Sequence, residues 1–157
     1  MKITLIAIGK TDDKQLLSLI ENYLKRLKHY CRFELEIIND LKNSKNISEK
    51  EQKEKEGLLI LKKVEKSDFL VILDEKGKQY TSVNFSKYLQ KHMNNSTKNL
   101  VFLIGGPYGF SQAIYDRAQQ KIALSEMTFS HQMIRLFFIE QIYRAHTILR
   151  NEPYHHQ

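Results

Sequence analysis

The chain has 157 residues, with 25 Lys and Arg against 18 Asp and Glu, a formal net charge of +7. That length suffices for one domain with a real core, and an apolar content of 41% is ordinary for a globular protein, which excludes a disordered or low-complexity chain. No apolar run approaches the ~20 residues of a membrane span, and the one cysteine, Cys31, excludes an intrachain disulfide and any CxxC metal pattern. The basic excess favours an anionic partner, nucleic acid first, although the lysines are spread out rather than packed into a tail.

The opening Met1-Lys2-Ile3-Thr4-Leu5-Ile6-Ala7-Ile8-Gly9 has one lysine, a short apolar stretch and no small-residue cleavage site. It reads as a first strand rather than a signal peptide, and the protein as cytoplasmic. Asp12 or Asp13 caps the next segment, where Leu16, Ile20, Leu24 and Leu27 recur at helical spacing. Lys25, Arg26, Lys28 and His29 near its end either complement the helix dipole or form an RNA-contacting patch. Phe33–Ile38 starts with the alternation of a half-exposed strand, and Asn39–Asn46 is a polar, basic, mobile loop. Ser48 and Glu51 fit a capping box that opens a charged helix to Lys66, apolar at Leu58, Leu61 and Val64. Gly57 interrupts it at a cost of about 1 kcal/mol against Ala, which points to close packing there.

Phe69–Leu73 is a buried strand followed by an Asp74–Lys78 loop, whose acidic pair either caps the turn or is catalytic. Val83, Phe85, Leu89 and Met93 mark a helix after Ser82, ended by Asn94–Thr97. Leu100–Ile104 is a strand buried on both faces that stops at Gly105-Gly106-Pro107-Tyr108-Gly109. This loop either lets a ligand approach the backbone or is a tight structural turn. It is neither GxGxxG nor a P-loop, since no Lys-Ser/Thr follows the last glycine. Ser111 is placed to cap a helix from Gln112 carrying Ile114, Tyr115 and Ala118. Lys121–Ser125 is a fifth short strand and Glu126–Ser130 a loop.

From His131 to about Leu149 runs a long helix, which His131 could cap. Its apolar face is Ile134, Phe137, Phe138, Ile142, Ala145 and Leu149, and its polar positions include His131, Arg135, Glu140, Arg144 and His146. The alternation of strands and helices predicts an α/β protein, a mostly parallel five- or six-stranded sheet flanked by helices, in one domain spanning 1–157. The loops after Leu73, Ile104 and Leu124 would then open on one edge, where main-chain groups could hold a polar, adenine-bearing ligand.

Leu73-Asp74 with Gly77-Lys78, Phe102–Pro107 with Gly109, Leu124-Ser125 with Met127-Thr128 and His131-Gln132 follow one another in order. Arg135, Glu140-Gln141, Tyr143-Arg144-Ala145 and the tail Asn151 with Pro153-Tyr154-His155 complete the series. In this order and at these intervals they resemble the SPOUT-class large-subunit rRNA methyltransferase H family, most closely from Asp68 to His155. The resemblance implies a C-terminal trefoil knot, a homodimer without metal or membrane, and methylation of N3 of a pseudouridine in 23S rRNA from S-adenosylmethionine. It implies that Leu73, Gly105, Gly106, Leu124, Ser125, Glu126, Met127, Thr128 and Phe129 bind the cofactor. Ser130 departs from the family, where proline often precedes the histidine.

N3 of a uracil-like ring carries a proton that must leave, so a base, or a group that stabilises the ring anion, is needed. His155 is the first choice of base, because histidine titrates in the right range. Arg144 could pair with phosphate, steady an anionic carbonyl oxygen, or simply pair with Glu140, four residues earlier; Tyr154 could stack on a base or hold the tail down. With no separate RNA-binding module in so short a chain, an assembled ribosome is the expected substrate. Two rivals remain: a non-catalytic RNA-binding protein on the same fold, and a nucleotide-binding oxidoreductase. The latter wants a glycine fingerprint after the first strand, which Ile8-Gly9-Lys10-Thr11 does not supply.

Overall fold

The computed structural model describes residues 1–41 and 46–156. Half of the expected Asn39–Asn46 loop, residues 42–45, therefore lies outside the described residues. In chain order the elements are β1 (Lys2–Ile8), α1 (Lys14–Leu27), β2 (Arg32–Ile38), α2 (Glu49–Leu61) and β3 (Phe69–Gln79). They continue with α3 (Ser82–Asn94), β4 (Asn99–Ile104), α4 (Gln112–Arg117), β5 (Gln120–Ala123) and α5 (Met133–Leu149). The five strands form one sheet in the order β2-β1-β4-β3-β5, and every pairing is parallel.

A parallel sheet must be covered on both faces, which is why its inner strands carry unbroken apolar runs. Alternate residues of β1, β3 and β4 serve opposite cores. Ile3, Leu5, Val71, Leu100 and Phe102 pack against α1, α3 and α5 through Ile20, Leu27, Phe85, Leu89, Phe138 and Ile142. Ile6, Ile8, Leu70, Ile72, Val101 and Leu103 pack against α2 and α4 through Ile60 and Ile114.

The caps follow the sequence with two exceptions. Asp13 Oδ1 accepts the Leu16 N–H at 2.8 Å, Ser48 Oγ accepts that of Glu51, and Thr81 caps α3. Ser111 stands at the N-cap of α4 but makes no capping bond, and its buried hydroxyl has no partner among the described residues. His131 does not cap α5; Ser130 Oγ does, accepting the Met133 N–H at 3.1 Å. Ser130 thus ties down the turn before the last helix.

Three further differences have physical causes. The α2 helix ends at Leu61 and leaves Leu58 62% exposed. Its approach to Ser111, where a Cβ on Gly57 would collide with the Ser111 hydroxyl, is the close packing expected at that glycine. Asp74–Lys78 is not an open loop. β3 bends there and continues to Gln79, so that Leu73 and Lys78 both face Ile122 of β5. In α5, Arg135 and His146 belong to the interior and Phe137, assigned to the apolar face, is 41% exposed.

Candidate functional site

The carboxyl ends of β3, β4 and β5 open into a cavity of about 550 Å³, within the range that encloses small ligands, ~300–1,000 Å³. Leu73, Gly105, Gly106, Leu124, Ser125, Met127, Thr128 and Phe129 line it, with Asp74, Glu75, Ile122, His131 and Ile134. Of the expected cofactor residues only Glu126 does not reach it. The three loops selected from their strands thus meet in one place.

The glycine loop owes its shape to crowding more than to left-handed backbone. Of its three glycines only Gly109 has positive φ, +79°. A Cβ on Gly106 would come within 2.7 Å of Glu56 Oε2, and one on Gly105 within 3.0 Å of the Phe110 ring. Glu56, on α2, is 4% exposed; burial raises its pKa, opposed by the hydrogen bond that Gln52 donates. On the opposite wall Tyr115 donates to Asp74 Oδ2 at 2.6 Å, and Asp74 Oδ1 accepts the Lys76 N–H, so the capping role of Asp74 is realised. Burial and the Asp74 bond push the Tyr115 hydroxyl up to about 12. Thr128 Oγ1 reaches Glu75 at 3.2 Å, joining the bend in β3 to the loop after β5, and Ser125 Oγ accepts the Met127 N–H.

Arg135, next to the cavity-lining Ile134 and bonded to the carbonyl of cavity-lining His131, is not separable by sequence from the polar positions of α5. Its guanidinium is fully buried and donates to the carbonyls of Ile8, Gly9 and His131 and to Thr11 Oγ1. Burial lowers its pKa, with Asp40 and Asp12 opposing.

The three candidate catalytic residues gather elsewhere. Glu140 Oε1 accepts from Arg144 Nε at 3.0 Å, from Arg144 Nη2 at 2.6 Å and from the Tyr154 hydroxyl at 2.9 Å. Arg144 also approaches His155 Nδ1 at 3.3 Å and lies over the Tyr154 ring. The Tyr154 hydroxyl meets that of Tyr23 at 3.1 Å, so the tail is docked on α1 and α5. Burial and these bonds raise the Tyr154 pKa, which removes it as a base near neutral pH, while the Glu140 bond raises that of Arg144. The structure shows the pairing of Arg144 with Glu140 and sets the same guanidinium beside the tail. Glu140 as the hub, and Tyr23 as the distant partner of Tyr154, are not marked in the sequence. The i,i+4 pairing with Arg144 was its only local signal.

The cavity and the tail cluster lie at opposite ends of α5. Ile134 lines the cavity, and Arg144 is ten residues on, about 15 Å along the helix axis. Between them Met127, Phe129, Met133 and Phe137 form an exposed apolar face, with the two phenylalanine rings 5.3 Å apart.

A parallel α/β sheet with a ligand cavity at its carboxyl edge, closed by a glycine loop and a five-residue turn before the last helix, is the architecture of a SPOUT methyltransferase. The chain belongs to that family: the family model described as "Predicted SPOUT methyltransferase" matches residues 1–155. Ribosomal RNA large subunit methyltransferase H of Flavobacterium johnsoniae is 66% identical over 157 residues, covering the whole of both chains. Proteins of the same name from Flavobacterium psychrophilum and Porphyromonas gingivalis are 64% and 52% identical, again over both full lengths. The family expected from the order of motifs is the one found, and with it comes the implication of a knotted C-terminal half. Among the described residues no helix is long and apolar enough to cross a membrane.

Proposed function

We propose that the protein methylates N3 of a pseudouridine in 23S rRNA, in assembled ribosomes, with S-adenosylmethionine bound in the cavity at the ends of β3, β4 and β5. The observation that carries the reading is the convergence of eight of the nine expected cofactor residues on that one cavity, in a chain whose full-length relatives are named as large-subunit rRNA methyltransferases. The residues present fit the cofactor. The cavity offers apolar surface from Leu73, Ile122, Leu124 and Ile134 for an aromatic base, main-chain groups of two loops for its edges, and acidic Asp74 and Glu75 toward a cationic end.

S-adenosylmethionine supplies an already activated methyl group. What remains for the chain is alignment, exclusion of water and removal of the N3 proton. His155 takes that proton, and Arg144, held in place by Glu140, stabilises the charge on the ring. Tyr154, fixed between Glu140 and Tyr23, sets the position of the tail.

A separation of about 15 Å along α5 keeps these groups from their own cavity, so the functional unit we propose is a homodimer in which one protomer's tail serves its partner's cavity. The exposed face of Met127, Phe129, Met133 and Phe137 supports this. An isologous, antiparallel α5 contact centred on Phe137 sets the partner's residue 144 against residue 130 at the cavity rim.

The test is transfer of labelled methyl from S-adenosylmethionine to 70S ribosomes of a strain lacking the enzyme, with the product nucleoside mapped by mass spectrometry. Methyl on N3 of one 23S pseudouridine is expected. Cofactor binding without transfer to any ribosomal RNA would overturn the reaction and leave the non-catalytic RNA-binding reading.

A further inference from the structure

The groove between α1 and α5 carries an alternation of rings and cations that the chemistry above does not use. Tyr30, Tyr143, Tyr23 and Tyr154 form a chain of rings, with Tyr143 in contact with each of the others at centroid distances of 5.4, 5.8 and 4.8 Å. Arg26 lies over Tyr23 at 5.4 Å and over Tyr143 at 5.7 Å, and Arg150 lies over Tyr30 at 4.4 Å. The acidic groups facing this groove are already engaged within the protein: Glu140 by Arg144 and Tyr154, Glu152 by the Tyr30 hydroxyl. Among the described residues neither Arg26 nor Arg150 forms an ion pair. Both are exposed, as are Lys25, Lys28 and His29.

A guanidinium stacked on an aromatic face has little freedom left to lose and keeps its N–H edge turned outward. Two such groups, without carboxylate partners and continuous with the tail cluster, form a preorganised grip for phosphate. Arg150 also donates to the His29 carbonyl at 3.1 Å, so part of its role is to fasten the end of α1. Arg26 has no such bond. Dipole complementation explains why cations stand in the last turn of α1. It does not explain why Arg26 is laid across two tyrosines beside the tail.

We propose that the Arg26–Arg150 face of the α1/α5 groove is the docking surface for the backbone of the substrate RNA, with Arg26 as its principal phosphate contact. This rests on the rRNA reading above. It supplies the RNA grip that a chain without a separate RNA-binding module requires, next to the tail that enters the partner's cavity.

The experiment is sedimentation binding of the full-length protein to 70S ribosomes across a salt series, with methyl transfer measured in parallel. Arg26→Ala should weaken ribosome binding and raise KM for ribosomes about tenfold, lower the salt slope by about one phosphate contact, and leave cofactor affinity and kcat unchanged. Arg26→Lys, which keeps the charge, should recover most of the salt slope. An unchanged slope and KM in Arg26→Ala would overturn the proposal, as would a loss seen only in kcat or Tm. A photo-cross-linker at exposed Lys28 should join to rRNA; cross-links confined to ribosomal protein would overturn it in favour of a protein contact. Wild-type protein that binds ribosomes through Arg26 without transferring methyl would leave this surface standing and remove the reaction.

Discussion

Replacing Arg135 by Met tests whether a buried cation, rather than apolar packing alone, fixes the end of β1 to the turn before α5. The fully buried guanidinium satisfies the carbonyls of Ile8 and Gly9 at the end of β1 and that of His131 before α5. A methionine fills much of the same space and leaves those acceptors without donors. Two deeply buried carbonyls at ~1–3 kcal/mol each, less what is regained by no longer burying a charge, give a loss of about 3 kcal/mol, at the lower end of what breaking a buried ionic arrangement costs. For a domain of this size that lowers Tm by about 6–12 °C. Thermal unfolding followed by circular dichroism measures it, with calorimetric binding of S-adenosylmethionine alongside. Affinity should fall as well, because the His131 carbonyl is released at the cavity wall. A Tm within about 2 °C of wild type would refute the reasoning and show that the β1 carbonyls find water or other donors.

Three other outcomes are expected. Gly106→Ala should weaken cofactor binding because its Cβ meets Glu56 at 2.7 Å, and Glu56→Ala in the same chain should restore part of it; equal losses in both backgrounds on calorimetry would mean that ligand, not Glu56, demands the glycine. Mixing His155→Ala protein with Gly106→Ala protein, at a cofactor concentration low enough that each is inactive alone, and refolding them together should restore about a quarter of wild-type methyl transfer, since half the dimers hold one intact composite site; no recovery would sink the shared tail. Burial, with the Arg150 charge second, pulls His146 from 6.5 to about 4, so the unfolded chain takes this proton first as pH falls. Its stabilising contribution is whole above pH 6.5 and lost toward pH 4, about 3 kcal/mol in all; His146→Gln should flatten the fall in urea midpoint between pH 7 and pH 5, and an identical fall would contradict this.

The strands were legible because a parallel sheet covered on both faces leaves apolar runs that end where the glycine and polar loops begin. Three such ends located the cavity and nearly all its lining. What the sequence hid was long-range. Arg135 is a charged residue between apolar Ile134 and Leu136, and its acceptors include strand-end carbonyls more than a hundred residues away. His146 likewise looks polar by composition, yet its imidazole is packed beside Tyr30. Glu140 was legible as a partner of Arg144 but not as the acceptor for Tyr154, because that contact exists only once the tail folds back. The bend in β3 escaped because Asp74–Lys78 has loop composition, and only pairing with Ile122 makes strand of it.

The order of strands also dictates when the molecule can work during its own synthesis. β1 pairs with β2 on one side, but its other neighbour is β4, with Lys2 opposite Asn99. Until β4 has been made, a growing chain holds an apolar strand with an open edge, the kind of surface on which nascent chains aggregate. The cavity walls come later still, from β5 and the turn before α5, and the tail last of all. A prematurely released fragment therefore has neither the complete cavity nor the tail. The cell meets either the complete enzyme or an inert, sticky fragment, with no partly active species between them.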